Sequence, residues 1–302
     1  MNTELHQAIK VGLVHFMAYP ASMSGEGDIL PSVKRVMEDP YFDAVEVTHI
    51  ADKEQRAAVG SYAKQAGMAL GFGAQPQLLR NKENLNSLNE DERLAALTRV
   101  YACIDEAYEI GASAVGYLSG KYEPGQEEAA YRQLLKSTRA ICGYARDKGG
   151  LQVYLEVFDY DVEKCALIGP APLAARFAKE VSEEFSNFGL MIDLSHITQL
   201  HESIDENIDP IVPYIRHVHI ANSVLKKGAP AYGDQHPGFY FENGAVDQKL
   251  LAEFLRKLMA IGYIAQGKRP IVAFEVKPWG DEDSEMVLAG AKRFLNGAWK
   301  LV

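Results

Sequence analysis

Short apolar runs and longer amphipathic stretches alternate along the chain from its first residues, and each pair reads as a strand followed by a helix. The runs at 9–19, 44–50, 68–74, 114–118, 151–158, 188–194, 216–221 and 271–276 are predicted strands. Helices are predicted over 28–38, 53–66, 92–110, 127–148, 173–185, 204–214 (broken near Pro210), 247–261 and 284–300. Gly67 and Gly111 supply helix stops. This alternation implies an α/β protein with a parallel sheet and helices outside it. Eight such units in 302 residues imply a closed (β/α)8 TIM barrel. An open doubly wound sheet is the competitor, but no glycine-rich phosphate turn follows the first strand. Gly12 lies within that strand, and Gly25 and Gly27 are not spaced as G-x-G-x-x-G. Residues 1–302 are therefore expected to form a single barrel domain. Two long connections, 159–172 and 222–246, leave from the C-terminal ends of strands. Connections longer than about 12–15 residues are often lids or binding loops.

The apolar runs end on chemistry. The fifth closes as YLE at Glu156, the sixth as LMID at Asp193, the seventh as HVH at His219 and the eighth as AFE at Glu275. In a closed barrel these strands are neighbours, and barrel active sites lie at the C-terminal ends of strands. One acidic residue at a strand end is often a helix cap or a salt-bridge partner. Three carboxylates and an imidazole converging at one rim call for a divalent metal, because unpaired buried carboxylates are costly. Oxygen donors with one imidazole and no thiolate favour manganese, magnesium or cobalt over structural zinc.

Side chains alternate along a strand, so His217 shares a face with His219 one layer deeper, where it reads as a core or supporting histidine. Lys277 shares the face of Glu275, and is either a rim salt bridge or a substrate contact. His15 and His49 end the first two runs and are either pocket wall or bonded core residues. Asp234 and His236, in the turn-rich YGDQHP stretch, are lid contacts or turn residues. His196 either caps a turn or meets substrate. The expected substrate-binding set is His196, His15, Lys277 and His236. Any of Phe16, Tyr19, Phe158 and Trp279 packs in the core or forms an apolar wall for a sugar.

Composition narrows the partners. Hydrophobic residues make up 47% and charged residues 24%, the balance of a globular chain with a large core. The net charge of −10 argues against a nucleic-acid partner. The three cysteines, Cys103, Cys142 and Cys165, have no paired spacing and read as reduced thiols. The first residues lack a signal peptide's apolar run, and no stretch is long and apolar enough for a membrane span. A cytoplasmic location with no membrane partner is expected.

The segments YLEVF, IDLSH, HVHIAN and AFEVKP together make the chain similar, over nearly its whole length, to the xylose-isomerase-like barrel superfamily, and especially to its sugar isomerases and epimerases. The resemblance implies one divalent metal, manganese in the first place with magnesium, cobalt or zinc as alternatives, held by Glu156, Asp193, His219 and Glu275. It implies that Glu156 and Glu275 are the catalytic proton-transfer pair and that His196 contacts a substrate oxygen. Glu46 resembles the acidic residue that ends strand two in many members.

Two positions depart from the ketose 3-epimerases of the family. Leu225 stands where they carry an arginine, six residues after the metal histidine. Val162 stands where they carry a glutamate, six after the first metal glutamate. The implied activity is a metal-dependent sugar isomerase or epimerase working through an enediolate, on a small-molecule sugar or sugar derivative. The alternatives are a lyase, such as a keto-sugar dehydratase or the large subunit of a C-glycoside deglycosidase acting on 3-keto glycosides, and a non-catalytic sugar- or metal-binding barrel. A homo-oligomer is expected, with a small second subunit if the chain is a deglycosidase. The DNA-repair endonucleases of the family use more histidine ligands and three zinc ions, which eight histidines in an acidic chain do not favour.

Overall fold

The computed structural model describes residues 4–302. After one turn of helix, α1 (Leu5–Ala8), the chain lays down strand after strand with helices between them. β1 (Lys10–Val14) passes through the short α2 (His15–Ala18) to α3 (Leu30–Glu38). β2 (Ala44–Val47) precedes α4 (Lys53–Ala66). β3 (Ala69–Gly73) runs into α5 (Gln75–Arg80) and then α6 (Glu90–Ile110). β4 (Ala114–Leu118) precedes α7 (Glu127–Lys148), and β5 (Gln152–Glu156) precedes α8 (Ala171–Ser182). β6 (Phe188–Asp193) continues into α9 (Leu194–Gln199) and α10 (Ile204–Ile208), with a 3-10 turn at Asp209–Tyr214. β7 (Ile215–Ile220) precedes α11 (Gln248–Ala260), and β8 (Ile271–Phe274) precedes α12 (Ser284–Trp299).

The strands pair in parallel in sequence order, and β8 closes on β1, with Gly12 opposite Ala273. This is the (β/α)8 TIM barrel that the alternation of runs predicts. Helix ends follow local chemistry. Asp52 caps α4 by accepting from the backbone N–H groups of Glu54 and Gln55, and Gly67 ends that helix in the left-handed conformation. Asn89 and Gly111 do the same for α6.

The structure corrects three local readings. The first apolar run is not one strand over 9–19: β1 stops at Val14, and His15 begins a turn of helix. The polar stretch before α6 contains α5, and the residues after Asp193 form α9. A short apolar run does not distinguish strand from helix by its pattern alone, and here the barrel rim turns the chain.

The apolar core lies between the barrel and its helices, with Ile9, Leu13, Val45, Val115, Leu155, Ile192, Val218 and Phe274 all buried there. The barrel lumen is different. It holds the small apolar cluster of Val14, Phe16 and Ala273, Met191 beside Gly116, and a set of polar side chains. Glycines make room for them. A Cβ on Gly71 would come within 2.9 Å of Glu46 Cγ, and one on Gly116 within 3.0 Å of Gln75 Nε2.

Candidate metal centre at the barrel mouth

Four consecutive strands deliver the predicted ligands to one place. Glu156 is the last residue of β5 and Asp193 of β6; His219 lies on β7 opposite Asp193; Glu275 directly follows β8. Parallel pairing in sequence order makes these strands adjacent. One ligand atom from each of the four residues lies within 4.8 Å of the others, and all four residues are buried.

The hydrogen bonds around them leave two of the carboxylates, Glu156 and Asp193, with one committed oxygen and one available among the described residues. Glu156 Oε2 accepts from Gln75 Nε2 at 2.7 Å, and Glu156 Oε1 has no partner. Asp193 Oδ1 accepts from the backbone N–H of Ser195 at 2.6 Å, capping α9, and Asp193 Oδ2 has no partner. His219 Nε2 lies 3.1 Å from both oxygens of Glu46, while its Nδ1 faces Glu275 Oε2 at 2.8 Å and Glu156 Oε1 at 3.7 Å. A carboxylate holding the outer nitrogen fixes a metal-binding imidazole's tautomer and orientation. Orphaned buried carboxylate oxygens are rare and expensive unless something is meant to meet them. The donor set therefore fits a divalent cation.

Electrostatics sets the carboxylates apart. Burial, reinforced by the charge of Glu275, raises the Glu156 carboxyl. Burial would also raise Glu275, but the imidazoles of His236 and His219 outweigh it and hold Glu275 well below the usual carboxylate range. Asp193 is raised, again chiefly by burial. Glu46 is held down against burial by His217 and His219. His217 Nε2 lies 2.7 Å from Glu46 Oε1, and its ring stacks on Tyr154. This is the supporting role expected of a histidine one layer below the rim.

The predicted substrate residues separate. His236 and Lys277 line a cavity of about 240 Å³ that also exposes Glu156, His219 and Glu275. His196 sits behind that wall. Its Nδ1 bonds the carbonyl of Val157 at 2.9 Å and its Nε2 the carboxylate of Asp234 at 3.0 Å, so both nitrogens are spent inside the protein. Burial alone would lower its pKa, but Asp234 holds the imidazole up at about 9. His15 is not brought to the cavity either. Its nitrogens meet Ser32 at 2.9 Å and Ser22 at 3.3 Å, and burial pushes it down to about 3. His49 pairs with Glu106 at 2.6 Å, on the side of α6. Of the aromatic candidates, Phe16 and Phe158 reach the cavity wall.

Both long connections fold over the mouth. The carboxylate of Asp159 accepts the backbone N–H groups of Val162, Glu163 and Lys164, winding the first into a tight turn. That turn presents Glu163 and Lys164 to the second. Glu163 accepts from Asp234 N at 2.7 Å and from Gln235 Nε2 at 2.8 Å, and Lys164 Nζ lies 2.7 Å from Asp234 Oδ2. Asp234 thereby gathers Lys164, His196 and His236 Nε2, the last at 2.8 Å but too bent to be a hydrogen bond. Asp193, His196 and His236 also bring ligand-type atoms together.

Gln75, Lys164 and the central place of Asp234 escape a reading of the strand ends. Gln75 sits on the helix after β3, and Lys164 on a lid. The one available signal was YGDQHP, a carboxylate and an imidazole held among turn formers.

A family model described as "Xylose isomerase-like TIM barrel" matches residues 41–283. Solved structures share the fold at low identity. D-psicose 3-epimerase from Clostridium cellulolyticum H10, solved with D-tagatose, is 18% identical, with a TM-score of 0.70 over 96% of this chain and 98% of that one. The 3-keto-D-glucoside 4-epimerase from E. coli is 15% identical, with a TM-score of 0.65 over 96% and 99%. An AP endonuclease of family 2 from Brucella melitensis is 17% identical, with a TM-score of 0.66 over 95% and 99%. No curated protein sequence matches the chain. With the family model spanning most of its length and the barrel closed as that family requires, the chain belongs to the xylose isomerase-like TIM barrel family.

Proposed function

We propose that this protein is a divalent-metal-dependent sugar isomerase or epimerase that moves a proton at a carbon next to a carbonyl. The observation that carries this reading is the pair Glu156 and Glu275. They share one buried mouth, yet burial raises one while two imidazoles hold the other down. Two carboxyls pushed apart in this way can divide acid and base roles.

Glu156, Asp193, His219 and Glu275 would hold the cation, and a donor set rich in oxygen suits manganese, magnesium or cobalt. Such an ion supplies Lewis-acid polarisation of a substrate carbonyl, which makes the neighbouring C–H acidic. One of the two carboxyls, Glu275 or Glu156, accepts that proton, leaving an enediolate. The other carboxyl returns a proton to the opposite face of the same carbon for epimerisation, or to the adjacent carbon for isomerisation. Gln75 fixes Glu156 by one oxygen so that the other points at the reacting atoms. The lids exclude water, lengthening the life of the enediolate. The related solved structures include sugar 3- and 4-epimerases, which is consistent with this chemistry.

A lyase would share the first step and then expel a β-leaving group. Lys277 favours this second reading, because it places a cation on the cavity wall with no carboxylate among the described residues in ion-pair distance to neutralise it. The test is incubation of metal-loaded protein in D₂O with ketohexoses and with 3-keto glucosides. Deuterium should enter the substrate at carbon, and Glu275→Gln should abolish its entry. Turnover by hydride transfer, with no solvent hydrogen incorporated, would sink both readings. An unchanged product mass, apart from deuterium, identifies isomerisation; release of water or an aglycone identifies elimination.

A further inference from the structure

Next to the metal cavity lies a second hollow of about 630 Å³, which the chemistry above does not use. It runs between the end of α5 and the loop after β4. Leu79, Glu163 and Lys164 line both hollows, so three side chains form the boundary between them. Sites for drug-sized ligands run to about 300–1,000 Å³. The metal cavity alone, at about 240 Å³, falls below that range, and the second hollow falls inside it.

The lining of the second hollow has a definite character. Leu78 and Leu118 are buried in its floor, and Leu79 is left 43% exposed at its edge. The carboxylates present are already committed, Glu83 to Arg99 at 3.0 Å and Glu163 to Lys164 and the second lid. Lys82 and Lys121 also line it, exposed, and among the described residues no carboxylate stands within ion-pair distance of either. An apolar floor with uncommitted cations at its edge suits a flat apolar group carrying an anionic or phenolic edge.

We infer that the substrate is a two-part molecule, a sugar linked to an aromatic group with an acidic edge. The sugar sits at Glu156 and Glu275, and the aromatic group lies on Leu78, Leu79 and Leu118 with its edge at Lys82 and Lys121. This rests on the reading of the metal cavity as a sugar site and narrows its substrate class from free sugars to aryl glycosides. Lys164, tied to Asp234, stands where the linkage crosses from one hollow to the other.

The test has a binding arm and a turnover arm. In the first, manganese-loaded protein is titrated calorimetrically with 4-carboxyphenyl β-D-glucoside and with methyl β-D-glucoside. The aryl compound should bind at least tenfold more tightly. That advantage should disappear in Lys121→Trp, which fills the hollow, and shrink in Lys82→Asn, which keeps a residue suited to the left-handed backbone there (φ 54°). In the second arm, deuterium entry is followed for the two corresponding 3-keto glucosides. Lys121→Trp should lower kcat/KM at least tenfold for the aryl substrate and leave the methyl substrate within twofold. Equal affinity for the two glucosides in the wild type, or an aryl preference that survives both variants, overturns the inference. If neither substrate takes up deuterium, the proposed reaction fails, and the binding arm still decides the second hollow.

Discussion

His219 turns its Nε2 to the carboxylate of Glu46, 3.1 Å from each oxygen, so the nitrogen facing Glu275 and Glu156 is Nδ1. The contact spans the barrel lumen from β7 to β2, and it is possible only because Gly71 leaves space beside Glu46. Losing such an outer partner typically costs about 10–100-fold in metal affinity. Glu46→Gln is therefore expected to weaken manganese binding about tenfold while the far-ultraviolet circular dichroism is preserved. Unchanged affinity in a metal titration would remove Glu46 from the site.

Among the described residues Asp193 Oδ2 and Glu156 Oε1 are buried without a partner, and they make the sharpest test of the proposed centre. Asp193→Asn should weaken metal binding and nearly abolish turnover. The Glu156→Ala/Asp193→Ala double variant should hold no stoichiometric metal by elemental analysis. Full occupancy in that variant is the result that the proposed centre does not survive.

Gly116 tests whether Gln75 positions Glu156. A Cβ there would meet Met191 Cε at 2.9 Å and Gln75 Nε2 at 3.0 Å. Overpacking of this kind costs about 1–3 kcal/mol. Gly116→Ala should lower kcat more than it raises KM, because the substrate's binding surfaces are untouched while the Glu156 carboxyl loses its anchor. Gln75→Ala should reproduce the split without the stability loss.

The pair Lys164 and Asp234 ties one lid to the other, and its pH dependence follows from its environment. Burial would raise Asp234, but His236, Lys164 and His196 hold it well below the usual range. A depressed carboxyl stabilises the fold above its ordinary value near ~3.9, and that contribution is lost as pH falls through the folded value. Burial would lower Lys164, but Asp234 and Glu163 raise it above the usual lysine range. A raised amine stabilises the fold below its ordinary value near ~10.4, and that contribution is lost as pH rises through the folded value. His196 and His236, both on Asp234 and both raised by it, add stability that is full below their ordinary value near ~6.5 and is lost as pH rises through their folded values. Hydrogen exchange over residues 233–237, corrected for intrinsic rates, should thus be flat from about pH 5 to about pH 6.5 and rise above it. Lys164→Met should open the segment across that whole window, since it leaves a buried carboxylate short of its cation. Exchange that stays flat from about pH 5 to about pH 9 would show that another group holds the lids.

The barrel and the meeting of four side chains at its rim were legible in the linear sequence because both depend on local, periodic chemistry. A buried parallel strand must be an apolar run, its helix must be amphipathic and capped, and a carboxylate that ends such a run has few reasons to be there. Glu156, Asp193, His219 and Glu275 stand out on those grounds, and strand order alone makes them neighbours. The roles of the other histidines were not legible in this way. His15, His196, His217 and His236 all lie near strand ends or in a turn-rich loop, and nothing local tells a ring facing the cavity from one bonded behind it. Only closure of the barrel shows that His15 meets two serines, that His196 spends both nitrogens on Val157 and Asp234, and that His236 reaches the mouth. Glu46 to His219 and Lys164 to Asp234 are contacts across 173 and 70 residues of chain. A side chain's partner at that separation is set by how the strands close and the lids fold back, and no periodicity in the sequence records it.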